Sequence, residues 1–290
     1  MSDFVILTDS SADLTPALVE KLELEVLPMS FVMDDKSYQN FPDNHDMDPH
    51  EFYEKLRAGS SATTAAINVH EYTESLEKLL KAGKDVLLMV FSSGLSSTYQ
   101  SSVLAVEELR EEYPDRKLYT VDTLSASMGQ GLLVCLASDL RSQGKSIEEV
   151  RDWVEANKLK LCHQFTVDDL FFLKRGGRIS ATTAAVGSML KIKPVLHVDD
   201  EGKLVSISKA RGRAASLRAL VDKMEQTAIE PEKQTVFISH GDCPEDAQMV
   251  ADLVKERMGV QKVVINHIGP VIGAHSGPGT VALFYVGTER

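Results

Sequence analysis

The sequence predicts an α/β fold in two parts: an N-terminal α/β domain with a mostly parallel sheet over residues 1–163, and a C-terminal α+β two-layer domain over residues 164–290. Three observations carry this reading. In the first half, short apolar β-rich runs alternate with polar loops and amphipathic helices, the rhythm of βα units. After about residue 163 the rhythm changes, beginning with a hairpin. Finally, 290 residues exceed the usual ~100–200 of a single domain, yet no long linker or low-complexity tract divides the chain, so the two parts pack closely and share a cleft.

The elements follow in order. Runs at Phe4 to Thr8, Asp85 to Phe91 and Lys117 to Val121 are nearly all apolar, as strands buried on both faces must be. Thr15-Pro16 and Asp48-Pro49 pair an N-cap with a proline at the first helical position, a helix starts near Asn68, and Ser146 with Glu149 forms a capping-box pattern. Gly83 and Gly144 stand where helices stop. In the second half, "IKPVLHVDDEGKLVSISKAR" reads as two strands joined by a turn at Asp200 to Gly202. A helix from Gly212 to about Ala228, a strand at Thr235 to Ser239, a helix from Pro244 to about Met258, and strands at Val263 to Ile268 and Val281 to Val286 complete the chain.

Composition excludes several functions. Hydrophobic residues make up 43% and charged residues 26% of the chain, an ordinary globular balance. No apolar run approaches the ~20 residues of a membrane helix, and "MSDFVILTDSS" lacks the basic start and cleavage site of a secretory signal, so a cytoplasmic protein without stable membrane insertion is expected. With 43 acidic against 31 basic residues the net charge is -12, which opposes phosphate backbones and argues against a nucleic-acid partner. Cys135, Cys162 and Cys243 are odd in number and widely spaced, the pattern of buried thiols rather than of a disulfide framework or a zinc site.

In parallel sheets, ligands sit beyond the carboxyl ends of strands. The loops expected there carry hydroxyls: "DSS" with Ser10, "SSGLSSTYQSS" with Ser93 and Ser96, and "DTLSASMGQG" with Ser127. A fourth cluster, "SSATTAA" with Thr64, precedes the helix near Asn68. Any one such residue is more often a cap or turn, but four loops together point to a mouth that holds a carboxylate or phosphate. "VIGAHSGPG" places His275 among small residues, either a turn that contains a histidine or a ligand group left open to approach. A serine hydrolase using Ser96 and His275 is the rival reading, although the nucleophile elbow is incomplete because Thr98 follows Ser96-Ser97. No histidine pair has metal-ligand spacing and neither a P-loop nor a dinucleotide fingerprint is present, so no metal and no cofactor are expected. "LKRGGRIS", with Arg175 and Arg178, and "KARGR", with Arg211, are conspicuous in so acidic a chain. They read as solvated loop charge, as a docking patch, or as a guanidinium fork for an anion.

Taken together, "LTDSSADL", "SSGLSSTYQS", "FTVDDLFFLKRGGRIS", "KIKPVLHVDDEGKL", "KARGR" and "IGPVIGAHSGPG" resemble the DegV family, from about residue 4 to 286. Its members include the fatty acid binding subunits of bacterial fatty acid kinase. The resemblance implies a long-chain, palmitate-like fatty acid in a tunnel between the two domains, its carboxylate held by hydroxyls and a histidine. It also implies a carrier rather than an enzyme, presenting that carboxylate to a separate kinase subunit that forms the acyl phosphate. Thr64, Ser96 and His275 match the head-group positions, and Arg175, Arg178 and Arg211 match the kinase-facing surface. The family's Thr-Ser-Gln-Pro reads Thr64-Ala65-Ala66-Ile67 here, and a glycine is replaced by Ser97. Family relatives by fold also suggest a phosphoryl acceptor on histidine. Phe31, Met189, Leu190, Ile192 and Phe284 are apolar candidates for the tunnel wall.

Overall fold

The computed structural model describes residues 4–180 and 192–290. In chain order the first half runs β1 (Phe4–Asp9), α1 (Pro16–Lys21), β2 (Leu24–Leu27), β3 (Met29–Met33), β4 (Lys36–Asn40), α2 (Pro49–Arg57), β5 (Ala62–Thr64), α3 (Val69–Lys81), β6 (Asp85–Val90), α4 (Thr98–Glu112), β7 (Leu118–Asp122), α5 (Met128–Ser142) and α6 (Ile147–Asn157). The second half runs β8 (Leu161–Thr166), α7 (Phe171–Arg175), β9 (Ile192–Val198), β10 (Leu204–Arg211), α8 (Arg213–Thr227), β11 (Thr235–His240), α9 (Pro244–Met258), β12 (Lys262–His267), α10 (Pro270–Ser276) and β13 (Val281–Val286).

The first sheet has the order β2-β1-β6-β7 and is parallel throughout. Its central strands are buried on both faces, which is why β6 is an unbroken apolar run after Asp85. The expected caps hold: Thr15 and Asp48 accept from the backbone of the first turns of α1 and α2, and both reciprocal bonds of a capping box form at Asn68/Glu71 and Ser146/Glu149. The second sheet has the order β10-β9-β8-β13-β11-β12, antiparallel except for the β11/β12 pair. The hairpin β9/β10 turns at Gly202, whose φ is +73.

Helix α5 lies between the two sheets. Its residues from Met128 to Cys135 are all buried, and the polar one among them, Gln130, is bonded to Thr8, Asp9 and Ser11. One hydrophobic cluster runs from Ile6 and Met89 in the first sheet through Leu133 in α5 to Phe165 and Phe284 in the second. The junction expected at residue 163 falls inside β8, so that strand belongs wholly to the second sheet.

A three-stranded antiparallel sheet, β4-β3-β5, is an addition to the sequence reading. Met29, Phe31 and Met33 alternate inward along β3, and the β3/β4 turn uses Asp34 and Asp35 at φ 52 and 59, the left-handed pair of a tight hairpin. Among the described residues no helix is long and apolar enough to cross a membrane.

Candidate functional site

A cavity of about 310 Å³ opens between the two sheets, with most of its lining apolar. Thr64, Ser96, Arg178 and His275 all contribute to its wall. Thr64 ends the short strand β5, which pairs with Phe31 of β3, so the small third sheet is what places this hydroxyl. His275 occupies the last turn of α10 and meets Thr64 directly, Nε2 to Oγ1 at 2.8 Å.

Several contacts fix α10. Asp13 Oδ1 accepts from the Gly269 N–H at 3.0 Å, Asn40 Oδ1 accepts from Val271 N–H at 3.3 Å, and the Tyr53 hydroxyl donates to the Ile268 carbonyl at 2.9 Å. The glycines around His275 serve packing rather than ligand access, a correction to the open-approach reading of "VIGAHSGPG". A Cβ at Gly273 would lie 2.5 Å from the Tyr53 hydroxyl, and one at Gly277 2.5 Å from the Phe172 ring. The glycine that makes room for the imidazole itself is Gly176, where a Cβ would stand 2.2 Å from His275 Nδ1. The segment, for which a turn is one of the two sequence readings, is a short helix started by Pro270 and ended by Gly277 at φ 78.

Burial lowers the His275 pKa to about 4, and the Arg178 and Arg175 charges push the same way. The ring is therefore neutral at pH 7. Ser96 sits at the start of α4, its Oγ 2.9 Å from Thr98 Oγ1 and accepting from the Thr98 N–H at 3.2 Å. Arg178 is half-buried, and its Nε donates to the Leu95 carbonyl at 3.1 Å while its fork also donates to the Gly176 carbonyl. One guanidinium thus ties the Ser96 loop to the glycine pair beside His275. This places Arg178 in the cavity wall, not on the outer face assigned to it from sequence.

The other expected residues scatter. Ser127 reaches the wall, but its hydroxyl is engaged with Asp13 at 2.6 Å and Ser239 at 2.9 Å. Ser10 lies outside this wall among the described residues; it is buried and accepts from the Met29 N–H at 2.9 Å. Ser93 is exposed, and its N–H donates to Asp122 at 3.2 Å. Both serve the turns that follow β1 and β6. Arg175 is exposed over the rings of Phe171 and Phe172, at 5.7 and 5.1 Å, and Arg211 is exposed at the end of β10. Of the apolar candidates, Phe284 lines the cavity and Phe31 packs in a separate core beneath β3. Ile192 is not in the lining among the described residues, and Met189 and Leu190 lie outside them.

Among the described residues, Ser96 and His275 do not assemble into a hydrolytic triad. Ser96 pairs with Thr98, His275 pairs with Thr64, and His275 Nδ1 is buried without a partner where a carboxylate would have to orient it. Burial pushes the Cys135, Cys162 and Cys243 thiols up to about 12, 11 and 12, which leaves them poor nucleophiles. Sequence reasoning missed Ser276, Thr280, His163, Phe165 and Ala282 in the wall. The usable signal was the period-two alternation of His163 with Phe165 on β8 and of Ala282 with Phe284 on β13.

The family model of the DegV family, described as uncharacterised proteins, matches residues 3–288. The chain belongs to the DegV family. A DegV domain-containing protein of Clostridium perfringens is 47% identical over 290 residues, covering 100% of this chain and 99% of the relative. Among solved structures, a DegV lipid binding protein from Thermotoga maritima superposes with a TM-score of 0.85 at 30% identity, covering 100% of both chains. A DegV family protein from Thermus thermophilus, described as binding fatty acid, gives a TM-score of 0.86 at 28% identity over 98% of this chain and 99% of its own.

Proposed function

We propose that this DegV protein binds a long-chain fatty acid, burying the acyl chain in the cavity and presenting the carboxylate at Thr64, Ser96, Arg178 and His275. The observation that carries the reading is the make-up of the cavity wall: a largely apolar lining that also holds Thr64, Ser96 and His275 together with Arg178, the single cation among the described lining residues. A carboxylate withdrawn from water costs several kcal/mol unless donors replace its hydration, and hydroxyls backed by a guanidinium supply them. A neutral His275 bonded to Thr64 orients that hydroxyl without adding charge of its own. The apolar wall then supplies the affinity, at ~0.8 kcal/mol per buried methylene. The fatty acid binding described for the Thermus thermophilus relative supports the same ligand class.

The protein acts as a carrier that offers the head group to a kinase subunit for acyl phosphate formation. The exposed Arg175, carried on the short helix α7 and bonded to the Ala274 carbonyl next to His275, and the exposed Arg211 form its docking face. Native mass spectrometry of the purified protein tests the ligand. An adduct with the mass of a long-chain acid, such as palmitate, is expected, and a protein that carries none and takes up none after incubation with a mixture of acids refutes the proposal.

A further inference from the structure

The two central strands of the second sheet carry the cavity away from its polar end. Thr280 marks that end: its hydroxyl donates to the Ser276 carbonyl at 2.9 Å, one residue beyond His275. From there Ala282, Phe284 and Val286 point to one face of β13, and across the ladder they meet Phe165, His163 and Leu161 of β8. The first two of these rungs line the cavity, and the third does not: Leu161 and Val286 pack into the hydrophobic core. Along this face the space therefore stops at the His163/Phe284 rung, four residues or roughly 13 Å beyond Thr280.

That rung is braced. The rings meet edge to face, with centroids 5.4 Å apart and planes at 89°. His163 Nδ1 lies 2.9 Å from the Leu161 carbonyl, which can only accept, so Nδ1 carries the proton and the ring orientation is set. Behind the rung stands Gly129 of α5, where a Cβ would lie 2.2 Å from His163 Nε2 and 2.8 Å from Phe284 Cδ1. Any side chain at that position would collide with both rings and force them to shift.

Resting on the fatty acid reading above, we infer that the His163/Phe284 rung is the stop that sets the length of the bound acyl chain, with Gly129 determining where the stop stands. Phe284 is then a specificity-determining residue remote from the head group. Removing its ring extends the apolar space, and each methylene that gains room improves binding about fourfold.

The test is competition: delipidated protein is incubated with an equimolar series of saturated acids, and the bound fraction is analysed by mass spectrometry. Phe284→Ala shifts the bound distribution toward longer acids by about two methylenes, raising the long-to-short ratio on the order of tenfold. Gly129→Ala shifts it toward shorter acids. Val286→Ala, behind the rung, leaves it where the wild type has it. If Gly129→Ala does not fold, Phe284→Leu supplies a milder shift in the lengthening direction. Bound acid of unchanged length in Phe284→Ala and Phe284→Leu overturns the stop while leaving the fatty acid reading intact. Failure of the wild type to take up any acid overturns both.

Discussion

Asp13 offers a perturbation whose size follows from the structure. It is 7% exposed, its Oδ2 accepts from the Ser127 hydroxyl at 2.6 Å, and its Oδ1 accepts from the Gly269 N–H at 3.0 Å. It thereby joins the starts of α5 and α10. Burial outweighs those hydrogen bonds and raises its pKa from 3.8 to about 7, with Asp9 adding a smaller push upward. An acid whose folded pKa exceeds its unfolded value binds its proton more tightly when folded, so its stability is complete below about pH 4 and is lost as pH rises to about 7. At ~1.36 kcal/mol per pH unit the full loss is about 4 kcal/mol, of which roughly 2 falls between pH 5 and pH 7. Asp13→Asn holds the neutral form permanently. Its amide oxygen still accepts from Gly269, its NH₂ donates to Ser127, and asparagine tolerates the left-handed φ of 50 found here. Urea unfolding followed by the single tryptophan, Trp153, at a series of pH values gives the difference between the two proteins. The variant gains about 3 kcal/mol relative to wild type on passing from pH 5 to pH 8. A difference that stays constant over that range refutes the raised pKa and the burial argument behind it.

Further outcomes concern the head-group cluster. Thr64→Val keeps the side-chain shape but removes the partner of His275, and fatty acid affinity measured by calorimetry falls roughly tenfold or more, the effect of about 1–3 kcal/mol from an orphaned polar group. Gly176→Ala produces a comparable loss without substituting either residue, because the new Cβ displaces the imidazole. Arg178→Ala weakens binding of the acid but not of the alcohol of equal chain length, and equal losses for both would show that the guanidinium only packs. By NMR titration His275 stays neutral at pH 6 and gains its proton only near pH 4, its contribution to stability being present above about 6.5 and lost as pH falls through about 4; a midpoint near 6.5 contradicts its burial.

The parallel sheet, the helix caps and the β9/β10 hairpin were legible because each has a local cause: an apolar run, a side-chain acceptor three residues before its donor, a glycine at positive φ. The small sheet β4-β3-β5 was not, since strands of three to five residues leave little pattern, although the alternation of Met29, Phe31 and Met33 was there to read. For the site, the identities Thr64, Ser96 and His275 came from residue type and family likeness. Their meeting depends on contacts 211 residues apart in sequence, such as Thr64 to His275, which no local rule supplies. Ser10 and Ser93 show the converse: the Ser10 hydroxyl is spent on the Met29 N–H, and Ser93 enters the turn after β6 through its own N–H, which donates to Asp122. Arg175 and Arg178 belong to one basic motif, yet Arg178 reaches into the cavity and Arg175 faces solvent, with the Gly176-Gly177 bend between them.

The most direct test of the central claim is a crystal structure of the protein with bound palmitate. The account predicts continuous density for the chain within the cavity, with the carboxylate in hydrogen-bond reach of Thr64 and Ser96 and the methyl end against His163 and Phe284. A carboxylate placed at the His163 end, or an acid bound outside this cavity, would contradict it.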